Sequence, residues 1–424
     1  MLLPAGDGKI IMCAKDASFA FFLQKNDYFL ERNTIMKKFL ALILALVMVL
    51  GLVACGEKAP VDDGADAGDE VVTVTDKIAM VTDYGDITDQ SFNQTTYEAC
   101  KAFAEANGYD FTYYKPAGDS DAERVAMIEK AVDEGYTVIV LPGFAFAKAI
   151  AETAPTYTDV KFIALDVSEF DLTSAGLTAE TMTNVYSAVY QEELSGYMAG
   201  YAAVKMGYTK LGYLGGMAVP AVQKFGYGFV QGADAAAAEL GITVDMNYIY
   251  GGLFYGTADI TAVMDTWYQA GTEVVFACGG GIYTSAVDAA MKVEGAKVIG
   301  VDVDQAGVIA NYAGMEDTSL TITSAMKGLY PTTVDTLTDV LINGNWANYS
   351  GKVATLGLVS GDDPTLNYVQ IPMESTQWSD TFTQDDYKAL VKGMFDGTIV
   401  VSADISAMPA TTNVNVTELG QIVV

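Results

Sequence analysis

From Lys77 onward, short apolar runs alternate with stretches of helical periodicity, and this alternation constrains the fold more than any other feature of the chain. KIAMVTD (77–83) is apolar on both sides, as a parallel strand covered on both faces must be. The next segment has helical spacing at Phe92, Thr96, Ala99 and Phe103, and it stops at Asn107-Gly108. DFTYYK, a helix around ERVAMIEKAVDEG, TVIVLPG, a helix around AFAKAIAETA, and KFIALDV complete a first set. A second set opens near Asn184 with the helix EELSGYMAGYAAVKMG and closes on the strand KVIGVD (297–302). Strands separated by helices build parallel sheets, so two successive sets predict an α/β chain of two doubly wound lobes. A length of 424 residues suits two lobes plus extensions. The expected division is 77–184 with a returning segment at 305–345, against 185–304 with 346–424. Crossovers are expected near Asn184, near Asp304 and after Lys327.

Ligands of such sheets bind beyond the carboxyl ends of the strands. Three acids fall there: Asp83 after the first strand, Asp166 after the fourth, and Asp302 at the end of the second set. An acid in that position also serves as a helix cap or as solvated surface. Acids at strand ends in both sets favour a shared cleft.

The segment from Met36 reads MKKFLALILALVMVLGLVACGE. Two lysines, an apolar run from Phe39 to Val53, and a small residue before Cys55 have the form of a secretory signal. The run is shorter than the roughly 20 residues of a spanning helix. Leu52-Val53-Ala54-Cys55 resembles a lipoprotein processing site, which assigns 36–54 to the signal peptide and lipidation to Cys55. Met36 is then the expected start, and 1–35 a mis-assigned upstream extension. Residues 56–76 are rich in Asp, Glu, Gly and Ala without an amphipathic period. Together with the lipidated Cys55 they form an acidic tether over 55–76.

Composition narrows the function. The net charge of −31 argues against nucleic-acid binding, which needs clustered Lys and Arg. Histidine is absent, so Ser-His-Asp and Cys-His mechanisms are unavailable and the commonest metal ligand is missing. Cys13, Cys55, Cys100 and Cys278 show no zinc spacing. Cys100 and Cys278 sit in apolar stretches and read as buried thiols, with a disulfide between them as the alternative. Ser324-Ala-Met-Lys327 matches an SxxK acylation motif without its KTG partner. Gly279-Gly280-Gly281 after a strand could approach a phosphate, or could let backbone pack closely against a ligand or hinge.

Several motifs together resemble a known family. VTDYGDITDQSFNQ (81–94) is similar to the opening signature of the basic membrane protein family of substrate-binding lipoproteins, which includes purine nucleoside receptors of ABC importers. PGFAFAKAI, KFIALDV, LSGYMAGYAA, LGYLGGM, VVFACGGG, VIGVDVDQ and ITSAMK follow in that family's order. The resemblance covers about Lys77 to Asn343. It implies a type I periplasmic-binding-protein fold with a three-crossover hinge, and a nucleoside in the cleft. It further implies that Phe92 and Phe254 clamp the base from opposite lobes, with Asp83 and Asn93 near the base edge. Asp166, Asp302 and Lys327 would address the ribose hydroxyls, and Asp89 of the opening motif joins the ligand-binding set. A ribose diol offers donors that carboxylates accept, and a base offers faces on which aromatic rings stack. The expected protein is therefore a binding component and not an enzyme. It would be a monomer without cofactor or metal, lipid-anchored on the extracytoplasmic face of the cell membrane, and would deliver a nucleoside to an ABC permease. A receptor for another small polar solute, such as a sugar, is the alternative.

Overall fold

The computed structural model describes residues 76–422, apart from 179. The upstream extension, the signal segment, Cys55 and nearly all of the acidic tether lie outside the described residues. In chain order the first elements are β1 (Ile78–Val81), α1 (Phe92–Asn107), β2 (Phe111–Tyr114), α2 (Asp121–Asp133), β3 (Val138–Pro142), α3 (Ala147–Thr153), β4 (Lys161–Leu165), α4 (Glu169–Ser174) and β5 (Val185–Tyr190). There follow α5 (Glu192–Lys205), β6 (Lys210–Gly215), α6 (Pro220–Leu240), β7 (Val244–Tyr250), α7 (Ala258–Gln269), β8 (Val274–Cys278), α8 (Tyr283–Ala290), β9 (Lys297–Asp302), α9 (Ala306–Ala313) and β10 (Thr321–Lys327). The remainder holds α10 (Leu329–Leu337), β11 (Lys352–Leu356), β12 (Val369–Gln370), α11 (Gln384–Phe395) and β13 (Val414–Gln421).

The strands form two sheets, ordered β11-β5-β4-β3-β1-β2 and β12-β10-β9-β8-β6-β7-β13. All neighbours are parallel except β12, which runs antiparallel to β10. Both sheets are covered on both faces, which is why the central strands carry no polar alternation. Along β3, Ile139 and Leu141 enter one core while Val138 and Val140 enter the core on the other side. Along β8, Val274 and Phe276 divide in the same way from Val275 and Ala277. This is the two-lobed type I periplasmic-binding-protein architecture expected from the alternating pattern and the family resemblance.

The switch points between lobes differ from those expected. β5 completes the first sheet, so the first crossover is at Gln191 and not near Asn184. Asp304 is no crossover; it leads into α9, and β10 returns to the second sheet beside β9. The crossover after Lys327 is present, at Gly328, and α10 then packs on α1 of the first lobe. β11 extends the first sheet before the chain leaves it for good between Gly357 and Tyr368. The physical reason lies in pairing: VYSAVY (185–190) passes into the next helix through the single residue Gln191, and its membership follows from β4, with which it is hydrogen-bonded. The three connections are tied side by side, Gln191 N donating to Leu356 O (2.9 Å), Tyr368 N to Gly357 O (3.0 Å) and Gly328 N to Tyr368 O (2.6 Å). Cys100 and Cys278 are buried free thiols, one in each lobe. Among the described residues no helix is long and apolar enough to cross a membrane.

Candidate ligand site

The carboxyl ends of both sheets open on one cavity of about 380 Å³, within the range of roughly 300–1,000 Å³ usual for small-molecule sites. Asp83, Asp89, Phe92, Asn93, Asp166, Phe254, Asp302 and Lys327 all line it. The sequence therefore pointed to residues 244 positions apart that the fold brings to a single cleft.

Its electrostatic centre is Lys327, the last residue of β10. The Nζ atom lies 2.5 Å from Asp166 Oδ2, 3.6 Å from Asp302 Oδ1 and 3.7 Å from Glu192 Oε1, with Lys327, Asp302 and Glu192 buried and Asp166 11% exposed. Asp166 comes from the first lobe and the other three from the second. Burial pushes the Asp166 and Glu192 carboxyls up, Glu192 to about 7, with Lys327 opposing the rise in both. The three acids hold the Lys327 ammonium firmly protonated against its own desolvation. Asp166 Oδ1 is buried without a hydrogen-bond partner. An unpaired acceptor of that kind is costly, and a ligand hydroxyl would relieve it. Asp166 and Asp302 both have left-handed backbones, φ 62° and 65°, so strain is localised at the two strand ends that face the cleft.

Asp83 and Asp89 differ from those acids because the backbone takes up most of their acceptors. Asp83 Oδ1 accepts from the amides of Tyr84 (2.6 Å) and Gly85 (2.7 Å). Asp89 accepts from the amides of Ser91, Asn93 and Gln94 at the start of α1, and from Asn93 Nδ2. Burial raises both, Asp89 to about 6. Asn93 keeps one buried carbonyl oxygen, Oδ1, without a partner.

The aromatic arrangement departs from a simple facing pair. Phe92 presents its ring to Lys327, whose Nζ is 4.7 Å from the ring centroid. The ring stacked on Phe254 is Tyr84, with centroids 6.4 Å apart and planes at 30°. Phe254 rests on glycines: a Cβ added at Gly279 would come within 2.7 Å of its Cδ1, and one at Gly216 would also collide with the ring. The Gly279-Gly280-Gly281 run thus makes room for Phe254, and the Gly281 amide donates to the Phe254 carbonyl (2.8 Å). Ser324 and Lys327 sit three apart on a strand, where such positions face opposite sides, and the Ser324 hydroxyl accepts from the Gln305 amide, 3.1 Å away, so the strand does not pair the Ser and Lys of SxxK.

Sequence reasoning missed Tyr84, Ser91, Glu192 and Lys224. Glu192 follows β5 after the single residue Gln191, and Lys224 lies on the apolar helix α6. Ser91 Oγ donates to Asp302 Oδ2 (2.6 Å) and Gln305 Nε2 to the Gln90 carbonyl (3.2 Å), contacts that join the lobes. Tyr84 and Ser91 lie inside the opening motif, which was the signal available for them.

Residues 76–386 match the sequence model of a family described as ABC transporter substrate-binding protein, PnrA-like. An ABC transporter nucleoside-binding protein of Lactococcus lactis subsp. cremoris is 27% identical over 299 residues, covering 67% of this chain and 80% of its own. An uncharacterized lipoprotein of Pyrococcus furiosus is 24% identical over 360 residues, covering 81% of this chain and 83% of its own. The crystal structure of an ABC transporter solute-binding protein from Aeropyrum pernix aligns with a TM-score of 0.58 at 21% identity, over 77% of this chain and 87% of that one.

Proposed function

Because the chain belongs to the PnrA-like family of ABC transporter substrate-binding proteins, we propose that the solute it captures is a nucleoside, most favourably a purine nucleoside, and that it is held to the membrane by a lipid on Cys55. The observation that carries this reading is the cluster around Lys327: carboxylates from both lobes converge on one ammonium beside the Phe92 ring. Asp166 and Asp302 accept the ribose hydroxyls, and Lys327 donates to one of them while balancing the acids' charge. Asn93 Oδ1 and the Asp83 carboxylate meet the base edge. The base lies between Phe92 and Phe254, replacing the Tyr84–Phe254 stacking with its own. Closure of the lobes buries the ligand, and opening releases it to the permease. The Lactococcus lactis relative, named for nucleoside binding, supports the same assignment.

Titration calorimetry with adenosine, guanosine, inosine, uridine, free bases and ribose tests it. Nucleosides are expected to bind far more tightly than either ribose or free base, because sugar and base are held by separate groups. Ribose binding as tightly as any nucleoside would remove the aromatic contribution and make the protein a sugar receptor.

A further inference from the structure

Glu192 opens α5, one residue past the Gln191 crossover, and its side chain is 2% exposed. Its Oε1 lies 3.7 Å from Lys327 Nζ. Its Oε2 has no hydrogen-bond partner and lies 3.5 Å from Lys224 Nζ, which itself donates to the Tyr190 carbonyl at 3.1 Å. Lys327 stands one residue before the Gly328 crossover. The two side chains thus meet across neighbouring hinge connections, both on the second-lobe side. Rotation about those connections carries Asp166 away with the first lobe, while Glu192, Asp302 and Lys224 travel with Lys327. An ammonium in so dry a place is costly without a counter-ion, and Glu192 is one that opening leaves in place.

We infer that Glu192 is a positioning residue that holds the Lys327 ammonium ready while the cleft is open, and that it takes up a proton when the cleft closes on its ligand. The inference deepens the nucleoside reading and rests on it. Closure does two things to Glu192: it excludes water, and it brings the Asp166 carboxylate alongside. Both disfavour a second negative charge. The charged and titratable groups around Glu192 are Lys327 from β10, Lys224 from α6, Asp166 from the end of β4 and Asp302 from β9. Tyr190 and Cys278 lie nearby, and Glu193, its neighbour in the chain, is buried with its own carboxyl raised. In this structure, where Ser91 meets Asp302 and Asp166 meets Lys327 across the lobes, burial is the largest influence and brings Glu192 to about 7. In the open protein water returns and Asp166 departs, so the carboxyl falls toward its ordinary range. A group that holds its proton more tightly in the bound state binds that proton with the ligand, so affinity rises as pH falls through this window.

The test is calorimetry on the detergent-solubilised full chain with adenosine, guanosine and uridine, all uncharged between pH 5.5 and about 8. Titrations in two buffers of different ionisation enthalpy give the protons taken up. Wild type is expected to take up a fraction of a proton near pH 7, and to bind about three- to tenfold more tightly at pH 6 than at pH 8, about tenfold being the limit when the carboxyl is fully ionised in the open protein and titrates near 7 in the bound one. Glu192→Gln should bind with no proton taken up and a flat profile, and Glu192→Asp should restore part of both. Proton uptake persisting in Glu192→Gln, or absent from wild type that binds nucleoside, overturns the inference and leaves the nucleoside reading intact. Failure of all three nucleosides to bind wild type at any pH removes that reading and this inference together.

Discussion

Asp166 and Asp302 end equivalent strands of the two lobes, share a left-handed backbone, and face the same ammonium of Lys327 from opposite sides of the cleft. Neither is a glycine, so each strained conformation persists because the surrounding packing and the charge cluster hold it. Asp302→Asn tolerates the left-handed backbone but removes the charge. Nucleoside affinity should fall by about 1.5–3 kcal/mol in calorimetry. A 2′-deoxynucleoside, weaker than its parent in wild type, should lose less in this variant. Asp302→Ala should add about 1–2 kcal/mol of backbone strain, read as a lower midpoint of unfolding than in Asp302→Asn.

The glycines beneath Phe254 separate removal of a ring from its misplacement. Phe254→Ala should weaken nucleosides by about 1–3 kcal/mol through lost stacking. Gly279→Ala keeps the ring but puts a Cβ where it lies, at a φ of 144° that only glycine adopts freely. It should also weaken binding, with folded circular dichroism retained. Wild-type affinity in Gly279→Ala would show that the position of Phe254 is not used.

α5 and α6 approach so closely that a Cβ at Gly196, Gly200, Gly228 or Gly232 would run into a backbone carbonyl of the facing helix. Gly200 does not line the cavity. Gly200→Ala should therefore cost about 1–3 kcal/mol of stability in denaturant unfolding while leaving nucleoside affinity unchanged.

Burial holds Asp83, Asp89, Asp166, Glu192 and Glu193 above the usual carboxylate range, Asp89 at about 6 and Glu192 at about 7. Each binds a proton more readily folded than unfolded. Its contribution to stability is complete below its unfolded value of about 4 and is lost as pH rises through its folded value. Surface acids such as Asp86, held low first by its hydrogen bond to Lys115, and Asp339 and Asp386, held low by hydrogen bonds, have the opposite sign and lose their contribution only as pH falls below about 4. Thermal midpoints should accordingly decline from pH 5 to pH 8 in protein saturated with nucleoside, and Asp89→Asn should flatten the part of that decline below about pH 6. A midpoint rising over the same interval would contradict the burial of these groups.

Anchoring is tested outside the folded lobes. The full chain expressed in a bacterial host should partition into detergent and carry acyl chains on Cys55, as mass spectrometry of its N-terminal peptide would show. Cys55→Ala should carry none. A mature N-terminus upstream of Met36 would overturn both the processing site and the assigned start.

What the sequence determined by itself was local. Apolar runs such as TVIVLPG and KFIALDV declare buried parallel strands because both faces are covered, and Asn107-Gly108 ends its helix because glycine adopts the φ of 74° found there. The acids Asp83, Asp166 and Asp302 were visible as candidates because strand ends are readable and a cleft lies beyond them. The tertiary structure decided which sheet each strand joins. β5 belongs to the first lobe and β10 to the second through hydrogen bonds to β4 and β9, so the hinge lies at Gln191, Gly328 and 357–368. It also placed Glu192 beside Lys327, 135 positions apart in the chain, and Tyr84 against Phe254. Neither adjacency has a periodic signature: Glu192 meets Lys327 only where two hinge connections run side by side at the second lobe, and Tyr84 meets Phe254 only when two lobes, folded around their own cores, bring their strand ends face to face.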